Sequence, residues 1–483
     1  MNDLPLIQFL LVLPLAGALA ALVFRRGAVP RFMPAAVAVG ELGVCFTMLF
    51  GGGLRPDFSL SCGGMLGLDS LAVFFLTVTV ILFSAVAVYC VRWLKVERKY
   101  SGGHDADPRM PDWLFVFCML FFVETMFLVI CARNFGILWV AVEGTTLASA
   151  PLICHRRSAH SLEAMWKYLL ICSVGIGFAL FGTMFLSAAG RFTETGMVSG
   201  LDFDAIAASG LNPDWYKAAF LFLLAGYGTK MGLAPFHTWL PDAHSESPAA
   251  VSALLSGTLL NCAFLGIIRV YQVAPAAADG FADGLLIVFG LISVGVAALF
   301  IIRQTDFKRM LAYSSVEHMG LIALGWGLGA VPAALFHALG HTMIKGMLFL
   351  TAGNLLLAFS TRRIADVGGL LGRLPRNGWL WLIGLAAICG TPPSPLFVTE
   401  FMIVRQALYS GRPLVAGGVL LLLFAVFSGM SLAVLRMCVG KSAGAESPAF
   451  QAAEKLSAVP AVLAAAAMVC GGILLWFLIC GGL

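Results

Sequence analysis

Ionisable side chains interrupt a chain that is otherwise strongly apolar. Seven of them fall within apolar segments long enough to cross a bilayer: Glu124, Glu143, Lys230, His337, His341, Lys345 and Glu400. A charged group at the centre of a membrane helix costs about 2.5–3.5 kcal/mol on insertion scales. These side chains are therefore expected to face polar partners or water inside a helix bundle. The chemistry that such buried groups support is the transfer of protons or similar small cations.

His337, His341 and Lys345 are spaced four residues apart, so they share one face of a helix. Histidine titrates near neutrality, and a desolvated lysine does so as well. A row of such groups can pass a proton along. Two alternatives stay open: hydrogen bonding between helices without transport, and haem ligation by the two histidines. Haem-ligating pairs usually sit on different helices, so the spacing favours the relay.

Two proline-rich segments predict helices that break within the membrane. His237, beside the first break, is a further candidate for proton translocation. The expected breaks lie at five prolines: Pro235, Pro241, Pro392, Pro393 and Pro395. Proline removes a backbone donor and clashes with the preceding turn. Irregular backbone at membrane depth is tolerated only where it lines a cavity or is buried in protein. Lys230 precedes its proline by 5 residues and Glu400 follows its own by 5, a mirrored arrangement typical of inverted repeats in transporters.

Glu143 is a single carboxylate in an apolar helix. Lys230 is its natural partner, because a buried ion pair costs less than two lone charges. Glu317 and His318 extend the route if they are buried, or lie at the membrane interface if they are not. The sequence leaves these two positions open.

The elements that hold these residues are predicted to be membrane helices. The chain of 483 residues is 60% apolar and 11% charged, whereas soluble domains carry roughly 25% charged residues. Recurrent apolar stretches of spanning length predict an all-α polytopic membrane protein with about 14 transmembrane helices. These spans are 4–24, 33–53, 69–91, 113–131, 134–154, 168–189, 216–240, 248–268, 282–302, 310–329, 333–357, 378–404, 413–435 and 457–481.

The distribution of Lys and Arg orients these spans. The predicted inner loops hold 21 of them and the outer side holds 7, which places both termini outside by the positive-inside rule. A bacterial or archaeal cytoplasmic membrane is expected, and the net charge of +5 reflects topology rather than nucleic-acid binding. Within the single transmembrane domain 1–483, we expect N-terminal helices (1–112), two inverted five-helix repeats that each contain a broken helix (113–270 and 282–437), and a last helix (457–483).

No metal, cofactor or redox centre is expected in the chain. None of its 12 cysteines are spaced as Cys-x-x-Cys, and no glycine motif stands in a strand–helix context that would bind a nucleotide. A buried cysteine ordinarily behaves as a small apolar residue. The sequence therefore offers no redox centre or nucleotide site of its own.

Several long motifs resemble the antiporter-like membrane subunits of respiratory complex I, whose relatives serve in multisubunit sodium/proton antiporters and energy-converting hydrogenases. The motifs occupy residues 229–231, 235–244, 247–248, 251–255, 307–315 and 336–350. A finer likeness is to the hydrogenase-4 component F type of group 4 nickel–iron hydrogenases, which include formate hydrogenlyases. It is carried by residues 139–151, 314–320 and 388–402.

The resemblance implies a role for each matched residue. Glu143 and Lys230 look like the coupling pair, the row on 337–345 like the central relay, and Glu400 like the terminal site. Ser256 and Asn261 stand where relatives often place His or Lys, so water would have to bridge these possible relay positions.

The resemblance also implies a function and partners. It indicates a proton- or cation-translocating subunit of a redox-driven complex, assembled with other membrane-arm subunits and with soluble hydrogenase or oxidoreductase subunits. Two alternatives stay open. One is a subunit of a multisubunit sodium/proton antiporter, and the other is a membrane scaffold with an inactive ion path.

Overall fold

The computed structural model describes residues 4–25, 27–51, 59–62, 64–100, 109–191, 200–441 and 444–480. Arg26 and Arg55, which were counted in the charge asymmetry, lie outside the described residues, as do both chain termini. The helices and strands in chain order are α1 (Leu4–Val23), α2 (Val29–Phe50), β1 (Ser59–Cys62), β2 (Leu66–Asp69), α3 (Ser70–Tyr100), α4 (Asp112–Cys131), α5 (Phe135–Ile153), α6 (Ala159–Arg191), α7 (Phe203–Ala208), α8 (Pro213–Met231), α9 (Trp239–Glu246), α10 (Ala249–Leu254), α11 (Leu260–Gln272), α12 (Phe281–Ile301), α13 (Phe307–Gly327), α14 (Val331–Phe359), α15 (Leu370–Arg373), α16 (Pro375–Ile388), α17 (Pro395–Tyr409), α18 (Pro413–Val439), α19 (Phe450–Lys455) and α20 (Ala458–Ile479).

The chain forms two compact units. The first comprises Met1–Ala87, Arg109–Gly232 and Thr258–Gly284, and the second comprises Val88–Pro108, Leu233–Gly257 and Leu285–Leu483. In the first unit α6 packs along α8, and α1 packs on α2 and α4. In the second unit α14 is the central helix and contacts α10, α13, α16, α17 and α20. The strands β1 and β2 form an antiparallel hairpin in which Ser59 pairs with Asp69.

The all-α polytopic architecture predicted from the sequence is confirmed. Within the described residues, 12 helical stretches are long and apolar enough to cross a membrane. Two predicted spans are not among these 12. The span 310–329 corresponds to α13, which carries many polar residues. The span 378–404 corresponds to α16 and α17, which are only 14 and 15 residues long. The count of about 14 spans and the grouping into two inverted repeats stay predictions.

Side-chain caps fix the starts of three helices that carry candidate site residues. Asn134 accepts from the backbone N–H of Gly136 at the start of α5. Asp306 accepts from the N–H of Lys308 at the start of α13, and Ser394 caps α17. Such caps satisfy backbone donors that the first turn leaves without an intrahelical partner. They therefore set the register of the polar residues that follow.

The two predicted helix breaks are present in the described chain. At the first break, α8 ends directly after Lys230 and Met231, because Gly232 adopts the left-handed conformation with φ of 82°. This conformation costs glycine little free energy. The second break separates α16 from α17, and Gly390 lies in it with φ of 64°. Each break contains one cis prolyl peptide bond, before Pro235 and before Pro393.

The position of Pro241 corrects the sequence prediction. The first break ends before it, in a short 3-10 turn at Phe236–Thr238, and Pro241 lies in the first turn of α9. A proline there leaves no intrahelical bond unmade, since the first-turn N–H groups have no helical acceptor. Pro392 and Pro393 lie in the second break, and Pro395 is the first residue of α17.

Candidate ion-translocation sites

Lys230 is fully buried near the end of α8 in the first unit. Its Nζ donates to the Thr146 hydroxyl of α5 at 2.9 Å and to the Tyr168 hydroxyl of α6 at 2.6 Å. The ammonium group also lies 4.6 Å from the centre of the Tyr168 ring, a cation–π distance. Two helices thus supply the polar contacts that make a lysine tolerable at this depth.

The network continues from Tyr168 to Ser149 on α5, whose hydroxyl lies 2.6 Å from the tyrosine oxygen. Ser149 in turn donates to the carbonyl of Thr145 at 2.6 Å. The sequence analysis missed Tyr168 and Ser149. A signal existed for the serine, because Glu143, Thr146 and Ser149 recur every three residues on α5. Tyr168 gave none, since a lone tyrosine in an apolar helix is common.

Glu143 does not form the predicted direct ion pair with Lys230. Its Oε1 accepts from the hydroxyl of Ser173 on α6 at 2.8 Å, and its Oε2 has no hydrogen-bond partner among the described residues. The hydroxyl of Thr146, one turn further along α5, takes the position next to the ammonium group instead. The two charges still interact electrostatically, with the Tyr168 hydroxyl in the field of both.

Ser256 lies in a π-helical turn, residues 255–259, that joins α10 to α11. Such turns are rare in proteins overall, and those that do occur are often found at functional sites. The Ser256 hydroxyl lies 2.8 Å from that of Ser315 on α13, within the second unit. Asn261 is buried two residues after the turn, on α11. Both positions therefore keep polar groups inside the protein, although neither carries a titratable side chain.

A hydrogen-bonded chain of two histidines and a threonine lies at the centre of the second unit. Nδ1 of His318 on α13 lies 3.0 Å from Nε2 of His337 on α14. Nδ1 of His337 lies 2.9 Å from the hydroxyl of Thr399 on α17. All three residues are fully buried. His318, which the sequence left between a buried and an interfacial position, is thus buried with the relay row.

This chain can be polarised in either direction. Thr399 can donate to the carbonyls of Pro395 or Leu396, at 3.1 and 3.0 Å, and then His337 and His318 each donate toward it. With the tautomers reversed, Thr399 donates to His337 and His337 to His318. Because each neutral imidazole has one donor and one acceptor nitrogen, entry of one proton at Nε2 of His318 and loss of one proton from the Thr399 hydroxyl reverse the chain without displacing any heavy atom.

Lys345 lies two turns beyond His337 on the same helix and is fully buried. Its Nζ donates to the backbone carbonyl of Leu311 at 2.6 Å and to the hydroxyl of Ser314 on α13. The Glu317 carboxylate, also on α13, acts on it electrostatically. The predicted placement of the row on one helix face is thus matched by a facing row of polar residues on α13.

His341 lies between these two groups on α14. Its ring centre is 5.4 Å from that of His318, and neither of its nitrogens has a hydrogen-bond partner among the described residues. A fully buried imidazole with two open nitrogens is unusual, because buried polar atoms are nearly always paired. His341 belongs to the row by its position, one turn from His337 and one turn from Lys345 on α14.

Glu400 projects from α17 against Gly390 in the second break. A Cβ atom on that glycine would lie 2.1 Å from Oε2 of Glu400, so a side chain at this position would displace the carboxylate. Candidate ligand atoms of Glu400, His318 and His337 lie within 4.8 Å of one another. Two of these three groups are already hydrogen-bonded to each other, which favours proton exchange between them over metal ligation.

Two further histidines lie near the first break, in the second unit. His237 occupies the 3-10 turn with its ring 6.1 Å from that of Tyr313. His244, which the sequence analysis did not select, is fully buried on α9 and stacks on Phe349 at 4.8 Å. Neither ring nitrogen of His244 has a partner among the described residues. The signal for it was the position of a histidine beside a broken helix.

These observations define a polytopic membrane protein with titratable groups buried in its helices. The sequence profile of the family described as "NADH:quinone oxidoreductase/Mrp antiporter, TM" matches residues 132–431. The chain is also 34% identical over 392 residues to a hydrogenase-4 component F homolog of Methylacidiphilum infernorum (isolate V4), covering 80% of this chain and 81% of that relative. The chain belongs to this family, and the resemblance predicted from its motifs is confirmed.

Solved structures share the fold. A chain of the membrane-bound sulfane sulfur reductase, an archaeal respiratory membrane complex, aligns with a TM-score of 0.81 and 21% identity over 96% of this chain and 94% of its own. A chain of the Mrp complex from Dietzia sp. DQ12-45-1b aligns with a TM-score of 0.80 and 18% identity over 97% and 94%. Both solved proteins are described as complexes, and this chain has the fold of one of their chains. Its family and the 12 apolar helices of spanning length among its described residues make it an integral membrane protein.

Proposed function

We propose that this chain translocates protons, or a similar small cation, as a membrane subunit of a redox-driven complex of the group 4 hydrogenase or complex I type. The observation that carries the proposal is the buried chain from His318 through His337 to Thr399, with Lys345 on the same helix. A purely structural role, in which these side chains only hold helices together, would need hydrogen bonds. It would not need this many titratable groups in contact, because each of them costs free energy to bury.

The proposed cycle assigns a different role to each site. Chemistry in a partner subunit changes the electric field at Glu143, and the field reaches Lys230 through the hydroxyls around it. In the second unit a proton moves along the histidines and leaves through Glu400. The titration of such coupled groups belongs to the set rather than to one residue.

The proposed partners are other membrane-arm subunits and soluble oxidoreductase subunits of the same complex. The relative at 34% identity is a hydrogenase-4 component F homolog, which favours a hydrogenase partner. Purification of the complex from its native membrane, followed by identification of the bound soluble subunits, tests this assignment. Recovery of hydrogenase subunits supports it, and recovery of antiporter subunits alone contradicts it.

A subunit of a multisubunit sodium/proton antiporter is the second candidate. The family description names the Mrp antiporter, and the structural likeness to the Mrp complex reaches a TM-score of 0.80. An antiporter exchanges cations without electron transfer. Proton movement in vesicles that is driven by a sodium gradient, with no redox substrate present, would favour this candidate over the first.

The orientation is part of the proposal. Both termini face the outer side, as the positive-inside rule requires. Reporter fusions at Arg98 and Arg373 are expected to read cytoplasmic. A fusion at either residue that reads outside contradicts the orientation.

The decisive experiment on the site residues compares Lys230→Ala and Glu400→Ala in vesicles that contain the assembled complex. We expect proton transport per complex to fall at least about tenfold, since a barrier raised by roughly 1.4 kcal/mol has that effect. Complex abundance is expected to stay near wild type. Lys217→Ala and Glu163→Ala are matched controls, because each removes an exposed partner of a surface ion pair. Normal transport per assembled complex in Lys230→Ala would contradict the proposal.

A further inference from the structure

A pair of carboxyl groups lies deep in the N-terminal helices, apart from the sites described above. Glu41 on α2 is completely buried, and neither of its carboxylate oxygens has a hydrogen-bond partner among the described residues. Oε2 of Glu124 on α4 is likewise buried without a partner. Both residues precede the region, 132–431, that the family profile matches. Buried polar atoms without partners are rare enough that each requires an explanation.

Packing of α1, α2 and α4 brings the two carboxyl groups together. The three helices meet at Gly17 of α1, where a Cβ atom would lie 2.6 Å from Cγ2 of Val37 and 3.1 Å from Cδ1 of Leu120. Glu41 follows Val37 by one turn on α2, and Glu124 follows Leu120 by one turn on α4. One turn places each side chain on the same face as its predecessor.

The two helices run in the same direction. Arg31 near the start of α2 and Asp112 at the start of α4 form an ion pair of 2.7 Å. Glu41 and Glu124 therefore lie at one level, and their charges interact. Each is the thirteenth residue of its helix, about 18 Å along the axis at 1.5 Å per residue. This depth is near the middle of a hydrocarbon core of about 30 Å.

Few other groups on the helices around the pair can titrate. Glu143 is one of them, on α5, which packs against α4 with Gly144 beside Thr125. Helix α1 carries no titratable residue among those described. Helix α2 adds Cys45, one turn from Glu41. Helix α3 adds the hydroxyl of Thr77, which interacts with Cys45. This hydroxyl also donates to the Val73 carbonyl at 2.7 Å. Helix α4 adds Cys118, one and a half turns before Glu124, and its Asp112 is paired with a cation at the helix end. No lysine, arginine or histidine described on α1, α2 or α4 lies at the level of the pair.

We propose that Glu41 and Glu124 form a second proton-binding site, which holds at least one proton at neutral pH. Two interacting carboxylates in a low dielectric cannot both ionise without a cation, and one proton on the pair removes one of the two charges. A metal cation is a poorer fit, because hard cations take several oxygen ligands. Val37 and Leu120 at this crossing are apolar, and the one hydroxyl named nearby, that of Thr77, donates to a backbone carbonyl.

Infrared spectroscopy of the purified full-length chain in lipid nanodiscs tests the proposal without requiring transport. At neutral pH the absorption of protonated carboxyl groups should lose intensity in the double variant Glu41→Gln/Glu124→Gln. The matched control is Glu163→Gln, which removes an exposed carboxylate paired with Lys167 at 2.7 Å and should leave that absorption unchanged. Each single variant should shift the absorption, because the remaining carboxyl group loses its partner.

Two results would overturn the inference. One is a double variant whose protonated-carboxyl absorption equals that of the wild type, since both groups would then be ionised at neutral pH. The other is a loss of this absorption in wild type when sodium chloride replaces choline chloride, with no such change in the double variant, which would assign the pair to sodium. Glutamine matches glutamate in size, and thermal unfolding of each variant confirms that the compared proteins are folded. Failure here would leave the proposed transport function intact, because the variants used to test that function lie elsewhere.

Discussion

The two buried lysines differ in their surroundings. Lys230 in the first unit donates to two side-chain hydroxyls, those of Thr146 and Tyr168. Lys345 in the second unit donates to a backbone carbonyl and a serine hydroxyl. It also shares its helix with His337 and His341, at intervals of one turn.

This difference assigns a different function to each site: one holds charge and the other moves protons. Hydroxyl groups stabilise a charge but do not take up its proton near neutral pH, so the Lys230 site is suited to holding charge and responding to Glu143. Imidazole groups exchange protons near neutrality, so the second unit is suited to moving them. The variants below test this division, from the largest expected effect to the smallest.

Replacing the central histidine should break the second site. His337→Leu removes the group that contacts both His318 and Thr399, so the hydrogen-bonded chain loses its middle member. We expect proton transport per assembled complex to fall at least about tenfold. The measurement is proton uptake in vesicles, normalised to the amount of complex.

His155→Leu is the matched control for that variant. His155 is also a buried histidine and packs against an aromatic ring, that of Phe115, at 5.1 Å, but it lies outside both sites. Its replacement should leave transport per complex unchanged. Equal losses in the two variants would attribute the effect to packing rather than to the relay.

Removing one hydroxyl should weaken the first site without abolishing it. Tyr168→Phe deletes the closer of the two acceptors for Lys230, whereas Thr146 remains. We expect a several-fold loss of transport and a loss of stability of about 1–3 kcal/mol, the usual cost of an unsatisfied buried group. Tyr216→Phe deletes a buried hydroxyl that donates to the Val270 carbonyl at 3.3 Å. This control should lose stability but keep its transport rate.

Sequence patterns located the row on α14 but not its partners. The spacing of His337, His341 and Lys345 fixes one helix face, and the structure buries all three residues. Spacing cannot identify the helix that packs against that face. The sequence offered His318 as a possible extension of the route but left its depth open, and Thr399 became a member of the site only through tertiary packing.

The same limit explains the correction at Glu143. The free-energy cost of burying a charge predicted that this carboxylate would pair with Lys230. In the structure, hydroxyl groups on α5 and α6 accept the hydrogen bonds of the ammonium group instead. Helix breaks were more predictable, since proline and glycine act on their own backbone. Even there, Pro241 is tolerated inside the first turn of α9.

An ion pair between Asp69, at the end of β2, and Arg269, in the last turn of α11, should affect stability but not transport. Arg269 donates to both carboxylate oxygens of Asp69, at 2.6 and 2.8 Å. Burial raises the pKa of Asp69, but the hydrogen bonds and charge of Arg269 more than offset it, so that the pKa lies below its usual range. The stabilisation is therefore complete at neutral pH and is lost as the pH falls below the ordinary value of about 3.9 toward the folded-state pKa.

Thermal unfolding of Asp69→Asn as a function of pH checks this assignment. The variant should be less stable than wild type at neutral pH, by about 1.5–3 kcal/mol for a charge-assisted hydrogen bond, and the difference should shrink in acid. Asp204→Asn removes an exposed carboxylate that pairs with Arg133 and should show little change. A difference between Asp69→Asn and wild type that does not depend on pH would contradict the electrostatic origin.

The most direct test of the relay compares Lys345→Arg with wild type in the assembled complex. Arginine keeps the positive charge but does not release its proton in proteins. If Lys345 carries protons, uptake into vesicles per assembled complex should fall to the level of Lys345→Ala, whereas Lys167→Arg, an exposed lysine on α6, should transport normally. Normal uptake in Lys345→Arg would show that a fixed charge is sufficient at this position and would contradict the proton relay.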